Sequence, residues 1–214
     1  MDHTHDHNHT HEHDHDHEHD HVHEHEHDHE HVHVHDHGHG HLGDDEHMFV
    51  HFQEAKDEFM RSHPQSPIPE EERDQFQGLS YYPYNPDLNL HLPLDRDVSQ
   101  EPVTMETSTG DQTELHPAGK VRFEVEGEPA ELTIYADEDG ELFLPLRDAT
   151  SGKETYGAGR YLDPEPGEDD TVNLDFNYLY NPYCAYNEAY SCPLPPMVNW
   201  LRVPLRAGEK IYKT

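Results

Sequence analysis

The chain has 214 residues and a formal charge of −34, because 47 Asp and Glu outnumber 13 Lys and Arg. This balance argues against nucleic acid and anionic membranes as partners, since both are bound through clustered basic side chains. The sequence shows no apolar stretch long enough to cross a membrane, and its first residues lack the basic and apolar regions of a signal peptide. We therefore expect a cytoplasmic protein, and no protein partner can be named from the sequence.

The excess of acid extends beyond the N-terminal part of the chain. Residues 1–46 contain nine Asp, six Glu and no Lys or Arg, which leaves 32 acids and 13 bases in residues 47–214. In dilute buffer such a charge repels itself across a compact fold. Concentrated salt screens this repulsion, because the Debye length falls to about 3 Å at 1 M. The composition favours a salt-adapted, halophilic protein over an ordinary acidic one.

Histidine occupies every second position from residue 3 to residue 41, and Asp or Glu fills more than half of the intervening positions. In an extended chain, residues i and i+2 lie on one face about 6.6–7 Å apart, so neighbouring imidazoles can converge on one ion. The acids attract cations and can orient the imidazoles. The predicted metal-binding residues are His3, His5, His7, His9, His11, His13, His15, His17, His19, His21, His23, His25, His27, His29, His31, His33, His35, His37, His39 and His41.

The ions that suit imidazole are zinc, nickel, cobalt and copper, and we expect zinc or nickel because availability decides among them. With almost nothing apolar to bury, residues 1–46 should be disordered without metal. Free histidine titrates near about 6.5, so metal uptake should fall on mild acidification. The alternative is a solubilising charged segment that binds metal only incidentally.

A helix is predicted to follow this tail. Met48, Phe52, Ala55 and Phe59 are spaced i, i+4, i+7 and i+11, which is the pattern of one apolar helix face. Three prolines then end the helix, and a second short helix is predicted over residues 70–76, after a proline suited to its first turn.

The remainder of the chain shows strand patterns separated by turn residues. Asp139 and Gly140 mark the tip of one hairpin. No helix-length pattern lies between the strands, so we predict a mainly β domain over residues 47–214, an antiparallel sandwich or partly closed barrel with one or two short N-terminal helices. The predicted strands cover residues 88–94, 103–107, 120–127, 130–136, 141–146, 171–176, 199–205 and 209–212.

Three stretches are more distinctive than their periodicity: "DEFMRSHPQSPIPEEERDQFQGLSYYP", "LFLPLRDATSGKETYGAGRYLD" and "LDFNYLYNPYCAYNEAYSCPLPPMVNWLRVPLRAGEK". In this order they resemble the signature blocks of the family known as domain of unknown function 1684. The resemblance covers about residues 48–214 and departs from the family pattern around Asn199, where a charged residue and an Arg are expected. It implies no activity, cofactor or substrate.

The segment from Arg147 to Arg160 offers cations and glycines that suit a site for an anionic ligand. Arginine can bind a carboxylate through two parallel hydrogen bonds. The alternative is a network that fixes chain corners, with Arg147 paired to Asp148 or Asp175 and Arg160 paired to Asp163. The ligand-binding candidates in this segment are Arg147, Asp148, Lys153, Tyr156 and Arg160.

The segment from Asp175 to Cys192 adds four more candidates: Asn177, Asn181, Cys184 and Cys192. Buried inert thiols are the simplest interpretation of the two cysteines, and free reactive thiols, metal ligands and a disulfide stay open. The strands around Ile134, Phe143 and Phe176 could instead line a cavity for a small molecule.

Our leading hypothesis is a cytoplasmic protein whose tail binds or buffers divalent transition metals. The alternative is an enzyme or small-molecule-binding β domain that uses the Arg147–Arg160 and Asp175–Cys192 segments, with the tail as an accessory. The sequence does not decide whether the domain is catalytic, and it contains no known catalytic or nucleotide-binding fingerprint.

Overall fold

The computed structural model describes residues 42–137 and 139–212, which belong to one compact unit. All twenty histidines of the tail lie outside these residues. The predictions of disorder and of metal sites in residues 1–41 therefore concern a part of the chain that the structure does not describe.

Helix α1 spans Leu42–Ser62 and is followed by the single-turn helix α2, Glu70–Arg73. The prediction that residues 42–46 belong to the disordered tail is therefore wrong. Asp44 and Asp45 lie in the first turn of α1, where negative charge stabilises the helix N-terminus. The second helix is also shorter than the predicted range of residues 70–76.

The buried face of α1 differs from the predicted stripe. Phe49 and Met60 are almost fully buried, whereas Met48 is 61% exposed. Phe49 packs edge-on against the rings of Tyr81 and Tyr178, with centroids 5.9 and 5.5 Å apart. Because of these aromatic contacts, the buried face of α1 includes Phe49 and Met60, each one position after a residue of the predicted stripe. The spacing of apolar residues alone does not reveal this shift.

The domain is mainly β, as predicted, and its strands form two antiparallel sheets. One sheet has five strands in the order β2-β3-β4-β5-β6 and curls into a half-barrel, and the other has the order β1-β8-β7. The main apolar core takes side chains from both sheets. The strands are β1 (Asn89–Pro93), β2 (Val103–Glu106), β3 (Gln112–Val125), β4 (Glu128–Ala136), β5 (Leu142–Leu146), β6 (Arg160–Leu162), β7 (Glu165–Pro166) and β8 (Thr171–Asp175).

The strands predicted over residues 199–205 and 209–212 are not present. Each segment contributes to one isolated bridge, Arg147 with Trp200 and Tyr81 with Glu209. Backbone carbonyls in these two segments instead accept hydrogen bonds from the side chains of Arg160 and Asn181. Strand β6 was missed because it has only three residues and begins with a charged side chain.

Asn199, where the chain departs from the expected family pattern, is fully buried. Its side-chain oxygen accepts a hydrogen bond from the Thr133 amide at 2.8 Å. Its amide nitrogen donates to the carbonyls of Thr133 and Pro145 at 2.8 and 2.9 Å. The residue therefore ties the chain after the last strand to β4 and β5, which is a structural role.

Candidate functional site

Arg160 and Asp148 form a buried ion pair rather than an open anion site. Arg160 is 1% exposed, and its Nη2 donates to Asp148 Oδ2 at 2.9 Å and to the Leu205 carbonyl at 2.8 Å. Its Nη1 donates to the carbonyls of Ala207 and Glu209. The arginine is thus bonded to the protein itself, and its partner is Asp148 rather than the predicted Asp163.

The remaining cations of this segment do not join Arg160. The guanidinium carbon of Arg147 lies 4.4 Å from the centre of the Trp200 ring, an exposed stacking contact. Lys153 is exposed. The three cations that the sequence groups together therefore occupy three separate surroundings.

A second buried charge network surrounds Glu209, a residue that is not among the candidates predicted from the sequence. Glu209 is 1% exposed, and its Oε1 lies 2.5 Å from Lys56 Nζ of α1. Its Oε2 accepts hydrogen bonds from the Tyr186 hydroxyl at 2.6 Å and the Asn181 amide at 2.8 Å. Because residues 209–212 resemble a strand in sequence, the buried carboxylate among them gave no recognisable signal.

Two candidate asparagines also bond to the backbone. Asn181 donates to the Lys210 carbonyl at 2.8 Å. Asn177 accepts from the Asn85 amide at 2.8 Å and donates to the Asn85 carbonyl at 2.9 Å. Asp175 accepts from the side chain of Asn177 at 2.7 Å, and burial raises the pKa of its carboxyl group. These residues fasten the long loops of the domain.

An open cleft of about 1300 Å³ lies beside α1. Its volume is somewhat above that of most small-molecule sites, which is roughly 300–1,000 Å³. Its walls come from α1, from the turn between β4 and β5, from the β6–β7 region and from residues 180–193. The aromatic lining residues are Phe52, Phe59, Phe143, Tyr161, Tyr180, Tyr183 and Tyr190, and the charged ones are Lys56, Asp137, Glu141, Asp163 and Glu165.

The cleft wall already holds one cation against aromatic rings. Lys56 Nζ lies 4.9 Å from the centre of the Tyr180 ring and 5.7 Å from that of Phe52. The Tyr180 hydroxyl donates to Asp163 Oδ1 at 3.0 Å. The walls around Asp163 partly desolvate its carboxyl group and raise its pKa. Four acids against one lysine make the cleft lining negative.

Cys192 lines the cleft, and Cys184 packs with Cys192 in one buried cluster. Both thiols are free and buried, and the Cys184 amide donates to Cys192 Sγ at 3.3 Å. The hydrogen bond from the Cys192 thiol, helped by the hydroxyls of Ser108 and Tyr156, lowers the pKa of Cys184 to about 6, although burial opposes this shift. The same contact raises the pKa of Cys192.

Of the nine ligand-binding candidates, Cys192 is the one found in the lining of the cleft among the described residues. Of the three predicted cavity residues, Phe143 lines the cleft, whereas Ile134 and Phe176 are fully buried in the core. The cleft tyrosines were missed because tyrosine carries no specific chemical signature. Their density between residues 178 and 190 is the signal that could have indicated a binding surface.

Within residues 42–137 and 139–212, no group of three or more His, Cys, Asp and Glu side chains is arranged to hold a metal ion. The helices of this same part of the chain are also too short or too polar to span a membrane.

Comparison with known proteins agrees with the signature blocks. Residues 74–210 match the model of the family described as "Protein of unknown function (DUF1684)". The first of the three distinctive stretches begins at residue 57, so its residues 57–73 lie outside the match. The fold is similar to the solution NMR structure of an uncharacterized protein from Haloarcula marismortui, with 40% identity and a TM-score of 0.60. That alignment covers 78% of this chain and 95% of the other. The curated proteins gave no match. The chain therefore belongs to the DUF1684 family of proteins of unknown function.

Proposed function

We propose that the β domain is a binding module for a small organic cation with an apolar or aromatic body, held in the cleft without turnover. The observation that carries this proposal is the stacking of the Lys56 ammonium on the rings of Tyr180 and Phe52. A ring face that accepts one ammonium group can accept another, since the attraction comes from the negative face of the ring.

The charge of the lining supports a cationic ligand over an anionic one. Glu141, Asp163 and Glu165 are exposed at the cleft, and the single lysine is already paired with Glu209. An anion would meet uncompensated carboxylates, whereas a cation would meet them as partners. Arg147 and Arg160 were predicted to bind an anionic ligand, but they give no support to one. Arg147 stacks on Trp200, and Arg160 is paired with Asp148.

The test compares two fluorescent aromatic probes of opposite charge on the full-length chain, cationic thioflavin T and anionic 8-anilinonaphthalene sulfonate. About 1 M KCl suppresses non-specific attraction to the acidic tail. We expect saturable binding of the cationic probe and weaker binding of the anionic one. Equal affinity for both probes, or tighter binding of the anion, would contradict the proposal.

Two variants locate the binding. Tyr183→Ala removes a ring that lines the cleft, and Trp200→Ala removes a comparably exposed ring elsewhere. Loss of one cation–π contact of 1–2 kcal/mol should weaken thioflavin T binding by about 5- to 30-fold in the first variant only. Equal weakening in both variants would place the probe outside the cleft.

We also propose that the tail collects or buffers divalent transition metals, with zinc or nickel the expected ions. Support comes from the strict alternation of twenty histidines, which provides many overlapping sets of two to four imidazoles. Titration calorimetry with zinc or nickel should be compared between the wild-type chain and a full-length chain with these histidines replaced by Gln. Equal stoichiometry in both would show that the acids, or other residues, take up the metal.

The acidic composition supports a third part of the proposal, that the protein works in a salt-rich cytoplasm. A net charge of −34 is tolerated most easily where salt screens it.

A further inference from the structure

Two thiols lie together where the cleft meets the aromatic cluster formed by Tyr161 and its neighbours. Cys184 and Cys192 are 5% and 7% exposed and pack in one cluster with Tyr161. The Cys184 amide donates to Cys192 Sγ at 3.3 Å, and the Tyr156 hydroxyl lies 3.8 Å from Cys184 Sγ. The backbone contact between the two residues therefore places the Cys192 sulfur beside Cys184, inside the same apolar cluster.

We propose that Cys184 and Cys192 form a redox-active dithiol, which a hydroperoxide entering through the cleft oxidises to an intramolecular disulfide. Cys192 lines the cleft, and the Cys184 amide donates to the Cys192 sulfur, so the pair lies at the cleft wall. The small size of hydrogen peroxide suits sulfurs with so little exposed surface. The inference does not depend on the identity of the organic ligand.

The surroundings favour Cys184 as the nucleophile, because the thiolate is the reactive form of cysteine. The Tyr156 hydroxyl lies 3.8 Å from the Cys184 sulfur, and hydrogen-bond donors, led by the Cys192 thiol, lower the pKa of Cys184 to about 6. The other titratable groups around the pair are Tyr180 and Tyr190, which pack against the same cluster, Tyr161, whose pKa burial raises, and Glu188, whose charge acts on Tyr156. The groups that stabilise the Cys184 thiolate are therefore neutral hydrogen-bond donors.

The reaction balances in two steps. The Cys184 thiolate attacks one peroxide oxygen, the O–O bond breaks, and with one proton the products are a Cys184 sulfenic acid and water. The Cys192 sulfur then attacks the sulfenic sulfur, and its proton leaves with the hydroxyl group as a second water molecule. Overall, two thiols lose two electrons and two protons to one peroxide, which gives a disulfide and two water molecules.

The main experiment uses the full-length protein with EDTA present, so that metal on the tail does not decompose the peroxide. After a short exposure to hydrogen peroxide, remaining thiols are labelled with a maleimide and the peptide spanning residues 184–192 is analysed by mass spectrometry. We expect loss of two hydrogens without added oxygen, and recovery of both thiols with dithiothreitol. Unreacted thiols in the folded protein, a disulfide between two chains, or sulfinic acid without a disulfide would each overturn the proposal.

Single variants assign the roles of the two sulfurs. In Cys192→Ser, the Cys184 sulfenic acid has no partner and should be trapped by dimedone. In Cys184→Ser, oxidation of Cys192 should be at least about 5-fold slower, because that thiol lacks the same stabilised thiolate. Faster oxidation of Cys192 than of Cys184 in these variants would reverse the assignment and overturn it.

A third variant keeps both thiols and covers the case in which a cysteine replacement fails to fold. Alkylation of wild-type Cys184 by iodoacetamide should follow a pH profile with a midpoint near the pKa of about 6. Tyr156→Phe removes one hydroxyl donor and should move this midpoint upward while the thermal unfolding midpoint changes little. A wild-type midpoint at the ordinary cysteine value of about 8.5 would contradict the proposed thiolate.

Discussion

The buried charge networks and the cleft are built from neighbouring stretches of the chain, yet they use opposite kinds of side chain. In the networks, Arg160 and Glu209 bond to carboxylate, ammonium, phenol and backbone groups of the protein itself. In the cleft, the walls are aromatic rings and prolines, and exposed acids surround them. Charged motif residues in this chain therefore indicate how the C-terminal segment is held, whereas the cleft is lined mainly by aromatic residues and prolines.

The largest expected effect comes from breaking the Arg160–Asp148 pair. Arg160→Met leaves the Asp148 carboxylate buried without its partner and removes the donors to three carbonyl groups of the C-terminal segment. We expect a loss of about 3–5 kcal/mol in the free energy of unfolding, measured by urea denaturation.

The control is Arg122→Met, which removes exposed ion pairs with Asp95 and Glu131 on the outer surface of the sheet. That change should cost far less in the free energy of unfolding than Arg160→Met, because solvent screens exposed ion pairs. Similar losses in the two variants would show that the buried pair is not what holds the C-terminal segment.

Lys56 belongs to both regions, so its replacement tests whether they are separable. Lys56→Met leaves Glu209 buried with hydroxyl and amide donors only, and we expect a loss of about 2–3 kcal/mol. It also frees the ring of Tyr180, so the affinity for a cationic probe should rise or stay the same.

Lys120→Met is the matched control, because the Lys120–Glu131 pair is exposed and the distance is 3.4 Å. Its effect should stay within about 1 kcal/mol. If Lys56→Met abolished probe binding while the fold persisted, the lysine would be a ligand-binding group and the two regions would be one site.

The sequence predicts more of the fold than of the candidate site. Alternating apolar residues in β1 and β4 and the Asp139-Gly140 turn predicted the antiparallel sheets, because those signals are local. The C-terminal segment was misjudged as strands, since the carbonyls of Leu205 and Ala207 are satisfied by an arginine 45 or more positions away. The cleft was beyond reach for the same reason: Phe52 and Tyr183 meet only through the tertiary fold.

The salt dependence of stability should distinguish the surface charge repulsion from the contribution of the buried networks. Raising KCl from about 0.1 M to about 2 M screens the net negative surface, and we expect a gain of about 2 kcal/mol. This corresponds to a rise of roughly 4–8 °C in the thermal unfolding midpoint. The difference between wild type and Arg160→Met should stay nearly constant, because the buried pair is shielded from ions. A midpoint that falls with salt would contradict the proposed salt adaptation.

The smallest expected effects concern two carboxylates whose pKa values move in opposite directions. Desolvation by the cleft walls raises the pKa of Asp163 above its ordinary value of 3.8, although Tyr180 and Lys56 oppose this shift. A carboxyl group with a raised folded-state pKa lowers stability as pH rises from 3.8 through that pKa. Asp163→Asn removes this loss, so the variant should gain stability relative to wild type between about pH 3 and about pH 7.

Asp95 provides the comparison with the opposite sign. The backbone amide of Asp97 and the guanidinium of Arg122 lower its pKa below 3.8, so its stabilising contribution is complete above 3.8 and is lost as pH falls through the lowered pKa. Asp95→Asn should therefore be less stable than wild type at neutral pH, with the difference shrinking in acid. Thermal unfolding of both variants across this range measures the two slopes. Slopes of the same sign would show that the cleft walls do not desolvate the Asp163 carboxylate, and would contradict the cause assigned to its raised pKa.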